Sequence, residues 1–247
     1  MFIVALFIGF WLFADAAKLP TIFHKCARTD PHFQHCLQLA IEDAFHKLAA
    51  GYPKLGLTPL EPLVIPVLDI GRGNVPLNIN MTFRNVEIGG ITTINITKQA
   101  TDIDAYKSEY HTFNKKLILE GDYEVDGKIL LIPIRGKGKA HIELQNVKGV
   151  LKLKGNKKAR GRHTYFDLEK FDYKFSPSNM VIKFDTFNSD KKLNNVMNRI
   201  LNKYWREVLW EVKPGFEESI SEVFKNIASN LFNRVPLEEI YPEKIIN

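Results

Sequence analysis

Leu130-Leu131-Ile132-Pro133-Ile134-Arg135-Gly136-Lys137-Gly138-Lys139-Ala140-His141-Ile142-Glu143-Leu144-Gln145 is the stretch whose pattern decides the fold. Its even positions are apolar or small throughout, whereas from Arg135 onward the odd positions are charged or polar. Period-two alternation of this length specifies a long strand, wet on one face and covered on the other. Gly136, Gly138 and Ala140 turn the middle of the covered face into a shallow trough, which another backbone or a ligand can approach.

Alternation continues on both sides. Val75–Phe83, Val86–Thr97, Lys115–Val125, Lys128–Gln145, Val147–Lys154, Thr164–Phe175 and Met180–Phe187 are expected strands. Asp126-Gly127 and Ser176-Pro177-Ser178-Asn179 are the expected turns of an antiparallel meander. Ahead of it, Asp30-Pro31 has the form of an N-cap with proline at the first helical position. Phe33, Leu37, Ala40, Ile41, Ala44, Phe45 and Leu48 then recur at helical spacing until Gly51. The proline-rich run 52–73 is expected to be an extended connector. After the meander, Leu193, Val196, Met197, Ile200, Leu201, Tyr204, Val208, Leu209 and Val212 form a helical stripe. The stripe breaks at Pro214-Gly215 and resumes from Phe216 to Phe232. At 1.5 Å per residue the two pieces span roughly 60 Å, long enough to run the length of the sheet. The expected fold class is α+β, a long curved antiparallel sheet wrapped around a long C-terminal helix, with the glycine trough facing that helix.

The first dozen or so residues are apolar and end at Ala14-Asp15-Ala16, the form of a secretory signal peptide over residues 1–16; an uncleaved anchor is the alternative. Residues 17–247 are then expected to form a single extracellular domain. A net charge of +6, from 34 basic and 28 acidic residues, describes a mixed surface that does not call for nucleic acid. In an oxidising compartment Cys26 and Cys36 are expected to pair, two free thiols being the alternative. The sequons at Asn80 and Asn95 fit secretion, and strand parity turns both asparagines to solvent.

Several blocks resemble the takeout and juvenile-hormone-binding protein family of insects, within the tubular lipid-binding proteins. They are Cys26 and Cys36 around Asp30-Pro31, Gly56-Leu57 leading to Leu60-Glu61-Pro62-Leu63, and Leu119-Glu120-Gly121-Asp122-Tyr123 followed by the run from Gly127 to Gly138. Asn202-Lys203-Tyr204-Trp205, Lys213-Pro214 and Val235-Pro236 complete the match, which covers nearly the whole mature chain. The resemblance implies a one-domain, monomeric carrier whose sheet and helix enclose an apolar tunnel for a fatty acyl, terpenoid or juvenile-hormone-like molecule. Haemolymph carriers of juvenile hormone usually have a second cysteine pair; this chain has one pair and looks more like the takeout-like branch.

For such a carrier the candidate ligand contacts are Tyr123, Ile132, Ile134, Gly136, Gly138, Leu144, Tyr204 and Trp205, with the alternative that each is ordinary core. No Gly-x-Ser-x-Gly turn is present, and His32 and His35 lack a third metal ligand at a suitable offset, so neither catalysis, metal nor cofactor is expected. Gly136-Lys137-Gly138-Lys139 lacks phosphate-loop spacing. The basic run Lys152, Lys154, Lys157, Lys158, Arg160, Arg162, His163 is a solvated hairpin tip or, alternatively, a transient membrane contact through anionic lipid or glycolipid. No aromatic residue interleaves it, which speaks against nucleic acid.

Overall fold

In chain order the elements are helix α1 (Phe33–Lys47), strands β1 (Leu63–Ile70), β2 (Ile79–Gly89), β3 (Asn95–Asp102), β4 (Lys107–Ile129), β5 (Ile132–Arg160), β6 (His163–Ser176) and β7 (Asn179–Phe184), then helices α2 (Lys191–Lys203), α3 (Trp205–Phe232) and α4 (Leu237–Ile240). The computed structural model describes residues 16–71, 79–129, 132–185 and 191–245, without the side chains of Ile129, Ile132 and residues 191–193. The expected signal segment and the start of the first expected strand lie outside these.

β4 and β5, 23 and 29 residues long, form one antiparallel pair from Ile129↔Ile132 to Lys107↔Lys154. Each is flanked by two shorter strands placed end to end: β2 and β3 along β4, β7 and β6 along β5, with β1 outside β2. Asp126-Gly127 is therefore not a turn but strand, with Asp126 opposite Arg135 and Gly127 opposite Ile134. A turn at 126–127 and the observed pairing both keep apolar residues inward, so parity does not choose between them. Charge does: on the outer face the observed register sets Glu120 against His141, Asp122 against Lys139, Glu124 against Lys137 and Asp126 against Arg135. Lys139 approaches Asp122 to 2.5 Å and Arg135 approaches Asp126 to 3.5 Å. On the inner face Tyr123 lies opposite Gly138 and Val125 opposite Gly136, bulk facing absence of bulk.

Both long strands change parity at the same level. Inward residues are odd in Leu117, Leu119, Tyr123 and Val125 but even in Asn114, Thr112 and Tyr110. In β5 they pass from Ile142 and Leu144 to Val147, Leu151 and Leu153. The pairing stays in register, and Asn146 takes up the corner at φ 48. What looks like a strand boundary at residue 146 is this corner. The flanking strands change over here too, β2 to β3 through a short 3₁₀ turn (Ile91–Thr93) and β7 to β6 through Ser176–Asn179. Val86–Thr97 is consequently split between β2 and β3, and the parity change at Arg84–Glu87 is a bulge within β2, with Asn85 at φ 50. Two core clusters follow from the corner, one around β1, β2, β7 and the first half of α3, the other around α1, β3 and β6.

The expected connector contributes β1. Its Pro66 is tolerated because β1 is an edge strand that needs no donor there. The helix expected to start at Asp30-Pro31 starts at Phe33, with Asp30 Oδ1 accepting from the His32 N–H at 2.7 Å. The long C-terminal helix breaks at Tyr204, not at Pro214, which lies inside α3. The carbonyl that loses its partner to Pro214 is that of Trp210, a residue 82% exposed, so water can replace the lost bond at little cost.

The helices close the free sheet edges with side chains. Four helix residues rise about 6 Å and two strand residues about 6.6 Å, so polar groups at i,i+4 on a helix meet backbone at i,i+2 on a strand. On α2, Asn198 Oδ1 accepts from the Phe184 N–H (2.9 Å) and its Nδ2 donates to Phe184 O (2.8 Å); Asn202 does the same at Ile182 (2.9 and 2.6 Å). On α3, Glu217 and Ser221 accept from the N–H groups of Phe175 and Tyr173 at 3.1 and 2.9 Å. On α1, Gln34 both accepts from and donates to Thr101 of β3, while Gln38 donates to Ile96 O and Glu42 accepts from the Ile96 N–H. Edges that would otherwise invite another strand are thereby satisfied within the chain.

Candidate ligand cavity

The two halves each retain a cavity. The first, about 140 Å³, is walled by Leu117, Leu119, Ile142 and Leu144 from the long strands, Met180, Ile182 and Phe184 from β7, and Leu201, Val208, Leu209, Val212 and Phe216 from the helices. The second, about 250 Å³, lies among Leu37 and Ile41 of α1 and Leu48 just after it, Tyr110, Leu153 and Phe171 of the sheet, and Ile227 and Leu231 of α3. Phe45, Ile94, Thr112, Leu151 and Phe224 wall both, forming a waist between them at the level of the corner. Protein interiors normally leave few voids larger than a water, and apolar voids of this size stay dry and accept hydrocarbon.

Thr112, Asn114 and Tyr173 are the wall residues of the first cavity that have an oxygen or nitrogen in the side chain, among the described residues. The Asn114 amide donates to Gly90 O at 3.0 Å, which fixes its orientation. Burial and then the nearby Glu217 carboxylate push the Tyr173 phenol well above its usual range, so it stays neutral. Glu217 is 4% exposed and is compensated by Lys174 and Lys213, each at 2.8 Å. In the second cavity burial likewise raises the Tyr110 and Tyr241 phenols. Among the described residues, paired carboxylates or a nucleophile beside a base are not found on either wall. The sulfurs of Cys26 and Cys36, near His24, are tied in a disulfide.

Of the residues expected to meet ligand, Leu144 stands on a cavity wall. Ile134 is buried in the first core cluster. Tyr123 packs its ring 4.6 Å from that of Phe184 and donates to Asp185 O at 3.1 Å; burial, then the Asp185 charge, push its phenol up to about 12. The trough is occupied by neither the long helix nor open space at Gly138, where an added Cβ would lie 2.1 Å from the carbonyl oxygen of Asp185, the residue just after β7. Gly136 is half-buried, and Ile132 opens β5. Trp205 packs against the first cluster from outside the wall, and Tyr204 is 41% exposed. The residues missed, above all Thr112, Ile94, Leu151, Phe45 and Phe224, gather at the waist, with Asn114 beside it on the first cavity. The first half of β4 was illegible because its inward residues, Tyr110, Thr112 and Asn114, carry polar atoms and mask the alternation.

A family model described as haemolymph juvenile hormone binding protein matches residues 1–242. The chain belongs to this family. Its members are binding proteins rather than enzymes. Among curated relatives, the circadian clock-controlled protein daywake of Drosophila melanogaster is 24% identical over 243 residues, covering 93% of this chain and 91% of its own. Its Drosophila yakuba counterpart is 24% identical over 240 residues, with 92% and 90% covered. The crystal structure of Takeout 1 from Epiphyas postvittana superposes with a TM-score of 0.75 at 22% identity, over 88% of this chain and 99% of that one. The sheet with its long C-terminal helix is thus the fold of the takeout-like members.

Proposed function

We propose that the protein is a secreted carrier that reversibly takes a small hydrophobic molecule, fatty acyl, terpenoid or juvenile-hormone-like, into the paired cavities. The observation that carries this reading is the pair of apolar cavities meeting at one waist. Burying a chain of about fifteen carbons contributes roughly 10 kcal/mol gross, before the costs of association. Thr112, Asn114 and Tyr173 offer the polar atoms that would set the ligand's direction. The Cys26–Cys36 disulfide, exposed Asn80 and Asn95, and the apolar leader support secretion.

A basic hairpin tip as the working surface has less support. Lys152 pairs with Glu109 at 3.0 Å, Lys158 with Asp167 at 3.2 Å, and Arg160 donates to Asn233 O at 2.9 Å. Native mass spectrometry of protein secreted by a lipid-rich host tests the carrier reading. Co-purified acyl or isoprenoid mass is expected, and Leu144→Trp, which fills the first cavity, should lower its occupancy at unchanged far-UV circular dichroism and melting temperature. Protein that is empty and takes up no fatty acid or farnesol would refute it.

A further inference from the structure

The elbow where α2 meets α3 has two faces of different character. Inward, Leu201, Val208, Leu209 and Val212 wall the first cavity. Outward, Trp210 is 82% exposed, Val196 46% and Tyr204 41%, the largest such concentration on one helical stretch among the described residues. Arg199, Lys203 and Arg206 share this outward face, with Glu207 as its exposed acid. None of the three cations makes a salt bridge among the described residues; Lys203 lies 5.2 Å over the Tyr204 ring and Arg206 4.5 Å over that of Trp205. A water-facing helix does not need an uncovered tryptophan, and burying it elsewhere would have been favourable. Tryptophan and tyrosine settle at the headgroup level of a bilayer, and unpaired cations beside them match anionic headgroups.

We propose that the outer face of the α2–α3 elbow docks on an anionic phospholipid surface. Docking sets the helical wall of the first cavity, one helix thick, against the membrane. The surface is distinct from the β5–β6 hairpin, where Lys152, Lys158 and Arg160 are engaged by Glu109, Asp167 and Asn233. That the docked wall passes a ligand rests on the carrier reading; the docking itself does not, and is tested without added ligand.

Co-sedimentation with vesicles of phosphatidylcholine plus phosphatidylserine, against phosphatidylcholine alone, is the primary experiment, using the secreted protein. Binding should require phosphatidylserine and weaken with salt. Each cation near an anionic surface is worth about 1 kcal/mol, so Arg199→Gln/Lys203→Gln/Arg206→Gln should lower partitioning on the order of a hundredfold. Lys154→Gln/Lys157→Gln/Arg162→Gln, at the hairpin, should leave most of it. In a Trp205→Phe background the Trp210 emission should shift to the blue on these vesicles and be quenched by brominated lipid. Absence of binding to phosphatidylserine vesicles, an unmoved Trp210 emission, or loss of binding from the hairpin variant instead would overturn the proposal. So would a dimer in solution that Trp210→Ala dissociates, because the patch would then be a protein interface. Co-purified ligand retained in an elbow variant that no longer docks separates this surface from the cavities.

Discussion

Asn202→Leu separates the edge-closing role of the helices from simple helix packing, because the two views predict opposite signs. Leucine is the better helix former by several tenths of a kcal/mol, and a helix held only by propensity and apolar contact would gain from it. In the structure Asn202 accepts from the Ile182 N–H at 2.9 Å and donates to Ile182 O at 2.6 Å and Asn198 O at 2.8 Å. Leucine removes all three bonds and leaves a donor and an acceptor of β7 without partners under a helix. At about 1–3 kcal/mol for each abandoned group, softened where water reaches the edge, the net loss is about 2–4 kcal/mol. For a chain of this size that is a drop of several degrees in melting temperature, at about 2–4 °C per kcal/mol. Asn195→Leu, on the exposed side of the same helix, is the control and should be neutral or slightly stabilising. Equilibrium urea unfolding gives the midpoint, and hydrogen exchange at the amides of Ile182 and Phe184 reports the edge itself. A midpoint for Asn202→Leu equal to or above that of Asn195→Leu, with both amides still protected, would refute the reasoning.

Gly138→Ala should cost about 1–3 kcal/mol, since its Cβ would sit 2.1 Å from Asp185 O and the end of β7 would have to move; an unchanged urea midpoint would contradict the packing described. Tyr110, Tyr123, Tyr173 and Tyr241, of the eight tyrosines, have raised phenol pKa values, Tyr123 to about 12, with burial the leading cause in each. Raised folded-state values mean that the native state holds these protons more tightly than the unfolded chain. Their contribution to stability is full below pH ~10 and fades as pH rises through the folded values. Spectrophotometric titration at 295 nm should show these phenols staying neutral until alkaline unfolding; smooth ionisation of all tyrosines near pH ~10 in folded protein would be inconsistent with it.

Much of the fold was legible because its governing forces are local or pairwise. Alternation at Ile134–Leu144 specified the first part of β5, but the change of parity between Leu144 and Val147, which in the sequence looks like a boundary between two strands, is a corner within one. The charge pattern that sets the register was present as well: Glu120, Asp122, Glu124 and Asp126 run out against Arg135, Lys137, Lys139 and His141. Asp126-Gly127 outweighed it only when the turn was judged alone. Proline also misled at Pro214, where a lost hydrogen bond looks like a break until solvent on the side of Trp210 makes it tolerable.

Residue spacing and the motifs of the chain were enough for the second half of β4, the central alternation of β5, the apolar helical stripe, the disulfide partners and the family. The tertiary structure decided where the cavities lie and which face of the elbow meets water. Both depend on residues far apart in sequence: Thr112, Leu151 and Phe224 form the waist only after β4, β5 and α3 converge. Gly138 shows the same limit at a single residue. A glycine on a covered face announces that something approaches closely, but periodicity carries no information about what that something is, and here it is the backbone at Asp185.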